Sequence, residues 1–199
     1  MVASILPLFP SNIILLTIDK NTDQLKDNKI FHPTNNNVSG EIKTDFRSLE
    51  RFPRIKKILL TEFNKVMKDM DYDCDFRIST SWFVSIEKGQ EGHPHIHKNS
   101  FYSGIYYYDE YDEDSAGIEF ESPIATLSDF HLVPKNYNVS TSVSTAIKPQ
   151  KNLLIFFPSY LRHKIQRHLG ETSRYSLAFN IVPTGQYGCG DSSFNSNWR

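Results

Sequence analysis

The chain has 199 residues, a formal net charge of -1 and 39% hydrophobic residues, which is long enough to bury a proper core and too balanced for a disordered tail. A charge so near zero provides no field for drawing in nucleic acid or an anionic membrane surface, so neither is an expected partner. The two cysteines, Cys74 and Cys189, fit no Cys-x-x-Cys pattern and read as free thiols in a reducing compartment. Met1 to Pro10 is apolar but has neither a basic leader nor a small-residue cleavage site, and no apolar run approaches the ~18 residues of a membrane span. The expectation is a cytoplasmic protein forming a single domain over 1–199.

Ile13 to Ile18 is a β-branched run between turn-forming residues and predicts a short strand. Residues 20–45 are polar and predict loop. In the helix-containing region of about 45–72, Leu49, Phe52, Ile55, Ile58, Leu59, Phe63, Val66 and Met67 recur at three- and four-residue intervals. That period predicts a helix from Ser48 to Met70 that lays one apolar stripe on a sheet, with Pro53 in its first turn. From Phe76 the pattern turns extended. Ser81 to Ile86 and Ser103 to Tyr108 predict strands, Asp109 to Asp114 a solvated turn, and Gly117 to Phe120 a return strand. Residues 123–150 predict a long excursion and Leu153 to Phe157 a strand buried on both faces. The last strand, Arg174 to Val182, alternates Tyr175, Leu177, Phe179 and Ile181 with Arg174, Ser176, Ala178 and Asn180, and 183–199 predicts loop. Many short strands with one flanking helix imply a mainly β fold, a jelly roll being the simplest closure.

The candidate chemistry begins at His93-Pro94-His95-Ile96-His97. Alternate residues of an extended segment point the same way, so two of these imidazoles can grip one metal ion. An exposed, histidine-rich loop holding no ion is the plain alternative. A further histidine follows the buried strand, either His163 or His168, while His32 and His131 read as loop residues. Arg174 lies on the polar face of its strand, and a guanidinium on the inner face of a barrel requires something anionic beside it.

Taken in order, His95-x-His97-x-Asn99-Ser100, Ser103-Gly104-Ile105-Tyr106-Tyr107, Phe157-Pro158-Ser159, His163 and Arg174-x-Ser176-x-x-Phe179-Asn180, with Leu8-Phe9-Pro10 and Ser81-Trp82 upstream, resemble the Fe(II)- and 2-oxoglutarate-dependent dioxygenases. The likeness is narrowest to a subgroup common in marine bacteria and their phages. It implies a double-stranded β-helix in which His95, His97 and His163 hold Fe(II). It implies too that Arg174 and Ser176 receive the far carboxylate of 2-oxoglutarate, with Tyr107 and Asn99 in the co-substrate-binding set, and that dioxygen and an unknown small molecule or peptide are the partners. Asn152 stands where the family usually has glycine, and asparagine is among the few other residues that tolerate a left-handed turn.

One position departs from the family. The usual acidic second ligand is His97 here, so the site would have three neutral imidazoles and an ion more positive by one unit. His93 with His95, Asn99 or Asp109 could enter the set instead. Two other functions compete: a cupin-type three-histidine metal dioxygenase working without 2-oxoglutarate, which leaves Arg174 unexplained, and a non-catalytic metal-binding barrel.

Overall fold

The computed structural model describes residues 10–26, 46–124, 133–138 and 140–196. Leu8, Phe9, His32, His131 and most of the loop expected at 20–45 lie outside them. The described strands are β1 (Ile14–Thr17), β2 (Asp75–Ile86), β3 (Tyr102–Tyr106), β4 (Ile118–Glu121), β5 (Ser144–Ile147), β6 (Leu153–Pro158), β7 (His163–Ile165), β8 (Arg174–Tyr187) and β9 (Phe194–Ser196), and the α-helix is α1 (Pro53–Asp69). A major sheet runs β1-β6-β3-β8-β2 with β9 on β8, and a minor sheet runs β5-β4-β7. Every pairing between these strands is antiparallel, as expected of the double-stranded β-helix. No helix among the described residues is long and apolar enough to cross a membrane.

The outer face of the major sheet packs on α1, whose buried residues Ile55, Leu59, Phe63 and Met67 are spaced four apart. Phe63 is the centre of that contact, with ring centroids 5.1 Å from Phe76, 5.5 Å from Tyr102 and 5.1 Å from Phe156. Each such fully buried apolar side chain stabilises the fold by roughly 1.5–3 kcal/mol. The helical region is not continuous from Ser48. Ser48–Arg51 is a 3-10 turn, and Phe52 breaks from helical geometry at φ -130° and ψ 62°. Proline clashes with a helical predecessor, so Pro53 can open the helix only if Phe52 leaves it.

Alternation sorts the strands between two cores. Leu154 and Phe156 of β6 join the core under α1, whereas Leu153, Ile155 and Phe157 join the core between the sheets. In β2 a bulge changes the parity: Ile78 faces Ile181 and Thr80 faces Asn180, leaving Ser79 as the extra residue. Phe76 and Ile78 before the bulge and Phe83 after it therefore all face α1, and Trp82, Val84 and Ile86 turn inward.

Three loop expectations are corrected. The excursion at 123–150 contains β5, paired with β4. The tail after Val182 continues β8 to Tyr187 and returns as β9, through a turn where Gly188 has φ 79° and a Cβ would lie 2.3 Å from the Ser192 carbonyl oxygen. Asp112, Glu113 and Asp114 are solvated, but Asp109 is buried and the Tyr111 hydroxyl donates to the Tyr175 carbonyl at 2.6 Å, so this stretch is half tied into the fold. Asn152 does adopt the left-handed conformation, with φ 66°.

Candidate metal centre

The segment before β3 lies along β7. Gly92 N–H donates to Ile165 O at 3.0 Å, and His95 and His163 exchange backbone hydrogen bonds of 2.9 and 3.0 Å. His97 N–H donates to Ser159 O at 3.0 Å, which pins the second histidine to the turn after β6. The ladder brings all three rings together: His95 lies 5.0 Å from His97 and 4.4 Å from His163 between centroids, and one nitrogen of each ring lies within 4.8 Å of the others.

Which nitrogen faces inward follows from the hydrogen bonds. Nδ1 of His95 contacts the His93 carbonyl at 2.8 Å and Nδ1 of His163 the Leu161 carbonyl at 2.9 Å. A carbonyl only accepts, so each Nδ1 carries the proton and each Nε2 keeps a lone pair, the usual way a ligand imidazole is oriented. Burial, with a smaller contribution from His95, lowers His97 to about 4 and His163 to about 3. These two rings are neutral at pH 7 and ready to ligate. A set of three imidazoles on one side of an open cavity fits a divalent first-row ion such as Fe(II).

The cavity runs from the histidines to Arg174 and Ser176. Arg174 is 1% exposed, yet its protein partners are all neutral: Nε donates to Ala116 O at 2.8 Å, Nη1 to Ser176 Oγ at 3.2 Å and Nη2 to the Tyr107 hydroxyl at 2.7 Å. The Tyr107 ring also lies 4.9 Å from the guanidinium carbon. Of the five guanidinium N–H groups, one on each terminal nitrogen has no protein acceptor among the described residues. A guanidinium with two N–H groups free in this way has the geometry to receive a carboxylate. Burial raises the Tyr107 pKa against the opposing pull of Arg174, so the phenol stays protonated and stands behind the guanidinium.

Asn99 does not join them. It is exposed at φ 58° and lies off the cavity wall. His93 is exposed and serves by its carbonyl. His168 is fully buried with both nitrogens engaged, Nδ1 accepting from Ala116 N–H at 3.1 Å and Nε2 facing Thr172 O at 2.7 Å. Asp109 does not line the cavity, Arg162 pairs with Glu121 at 2.9 Å and Arg167 is exposed.

Sequence reasoning assigned no role to two features. Trp82 lines the cavity 5.5 Å from His97. Beneath the His97 turn, Ser159 Oγ lies 2.9 Å from both Ser100 Oγ and Ser103 Oγ, and Ser103 donates to Asn180 Oδ1 at 2.8 Å. Their signal lay in the short words around them, Ser81-Trp82 and Pro158-Ser159. Gly104 is likewise required, because a Cβ there would meet the Phe179 ring at 2.3 Å.

A double-stranded β-helix carrying a metal-type histidine cluster and a buried arginine in one cavity is the arrangement expected of a cofactor-dependent oxygenase. The family model described as "Putative 2OG-Fe(II) oxygenase" matches residues 80–180, more than half of the chain, and the chain belongs to that family. Among solved structures it is similar to HygX from Streptomyces hygroscopicus. The iron-bound form has 11% identity and a TM-score of 0.56 over 87% of this chain and 83% of that one, and the form with nickel and 2-oxoglutarate has 10% and 0.55 over the same shares. A 2OG-Fe(II) oxygenase family oxidoreductase from Burkholderia pseudomallei has 10% identity and a TM-score of 0.42, with 55% of this chain covering 46% of that one. No curated protein matches the sequence.

Proposed function

We propose that this chain is an oxygenase in which His95, His97 and His163 hold Fe(II), Arg174 with Ser176 anchors the far carboxylate of 2-oxoglutarate, and a C–H bond of a small molecule or peptide is hydroxylated. The observation that carries this is Arg174, buried on neutral partners in the same cavity as the histidines. The competing cupin-type reading gives that arginine nothing to do. Iron and 2-oxoglutarate, when bound, supply the oxidation: with dioxygen, the keto acid becomes succinate and carbon dioxide and one oxygen atom enters the substrate.

The protein contributes position. The Nδ1 contacts of His95 and His163 fix the rings and their tautomers. Tyr107 and the Ala116 carbonyl hold the guanidinium plane, so its free N–H pair is preset for a carboxylate. Ile118, Phe157 and Ile165 make the cavity walls apolar, which keeps water from the reacting groups. Trp82, half-exposed on the cavity wall beside His97, is placed to touch the substrate. The short motifs shared with the marine bacterial and phage subgroup support a place there, and the free Cys74 and Cys189 suit a reducing cytoplasm.

The test is an anaerobic titration with Fe(II) and then 2-oxoglutarate, following the visible charge-transfer band of the chelate. The wild type is expected to develop the band, His163→Ala to bind no iron, and Arg174→Ala to bind iron but require more 2-oxoglutarate. Iron binding without any band overturns the 2-oxoglutarate assignment.

A further inference from the structure

The centre differs in charge from the facial triad of two histidines and one carboxylate. Three neutral imidazoles leave a divalent ion its whole charge. Among the described residues no Asp or Glu joins the histidine cluster, and the other ionisable group on the cavity wall, Arg174, is itself a cation. The acids nearest in sequence to the β4 residue opposite His163 are engaged elsewhere: Glu121 with Arg162 at 2.9 Å, and Glu119 with Lys164 at 3.8 Å and Gln166 at 3.4 Å. They flank Phe120, whose ring packs inward on Phe157 and His163, and strand alternation turns them to the opposite face.

Among the described residues the charges then do not cancel. A divalent ion and one guanidinium carry three positive charges, and 2-oxoglutarate brings two negative ones. The remaining unit charge sits in an apolar, half-enclosed cavity, where its attraction for an anion is far stronger than in water. A ligand carboxylate at position 97 would remove it.

We propose that the metal centre takes one further monoanion in the single position left by the three imidazoles and the chelating keto acid, a position that dioxygen must then take from it; the anion supplies from outside the charge that His97 does not, and it is a small free anion or the acid group of an organic substrate. The inference rests on His95, His97 and His163 being the metal ligands.

The experiment uses the full chain loaded with Co(II), saturated with 2-oxoglutarate and titrated with azide, reading the visible d–d bands. Azide is expected to bind the wild type at least about tenfold more tightly than it binds His97→Asp, a conservative reading of one unit charge at contact distance. Acetate and benzoate identify the source: binding comparable to azide marks a site open to an organic acid, whereas response to azide and chloride alone marks a small-anion site. In the wild type by itself, excess azide is expected to tighten Co(II) binding by linkage, a measurement that stands even if His97→Asp does not fold. Unchanged d–d bands and unchanged Co(II) affinity in azide, or equal azide affinity in the wild type and His97→Asp, overturn the proposal while leaving the metal assignment in place. Failure of the wild type to bind Co(II) overturns both.

Discussion

The outer and inner faces of the major sheet are built by the same strands with the same alternation, and they hold opposite kinds of residue. On β8 the outward residues Leu177, Phe179 and Ile181 pack under α1, while the inward residues Arg174, Ser176 and Ala178 line the cavity. The outer face is continuous apolar packing and carries stability. The inner face holds a buried cation and a set of hydroxyls and looks onto the three histidines carried along β7 of the minor sheet, and each of these polar groups costs desolvation free energy that an apolar residue would not. Stability and function are thus separated by strand parity, one residue apart in sequence.

Substitutions on the two faces should therefore fail in different ways. The largest effect is expected from Phe63→Ala on the outer side, a loss of about 3–5 kcal/mol in urea unfolding, with metal affinity of the folded protein unchanged. A parallel loss of metal affinity at full folding would break the separation. On the inner side Arg174→Met is expected to weaken 2-oxoglutarate by roughly a hundredfold, within the usual range for one partner of a buried charged pair. The apo protein should be unaffected or more stable, because a buried charge is replaced by an apolar chain. Unfolding curves and calorimetry on the same sample check both halves.

Tyr107→Phe sharpens the contrast further. It keeps the ring under the guanidinium and removes one hydrogen bond, so 2-oxoglutarate should weaken by about tenfold or less with little change in the unfolding midpoint.

The metal-free protein adds a contrast with pH. His97 and His163 fall from an ordinary 6.5 to about 4 and about 3 in the folded chain, so between those values and 6.5 the unfolded chain binds more protons. Apo stability from these groups is complete above 6.5 and falls as the pH drops toward about 4 and then about 3. Urea midpoints of the metal-free protein should decline below pH 6.5, and less steeply in His163→Leu; an equal slope in that variant would place the dependence elsewhere.

Much of the fold was legible. Periodicity placed α1, and the both-sided apolar run Leu153 to Phe157 placed β6. Alternation in β8 assigned Arg174 to the inner face, and His-x-His marked the metal segment. Other features were not legible because they depend on partners distant in the chain. β5 and β9 are short, mostly exposed strands, with no apolar pattern of their own and stability drawn from the strand beside them. The Ser79 bulge inverts the parity of β2 and turns Trp82 to the cavity, and nothing local announces an inserted residue.

The sequence by itself determined the periodicities, the residue types able to bind a metal and a carboxylate, and their order along the chain, since these are properties of neighbours. Only the tertiary structure decided among the candidates. It placed His163 beside His95 and His97 and engaged both nitrogens of His168 with backbone groups, and it left Asn99 and His93 at the surface. It also set His97 beside His95 and His163 with no acid among the described residues in the cluster. Those decisions turn on which groups meet across the β7 ladder and which hydrogen bonds are already satisfied, and the chain acquires neither until it folds.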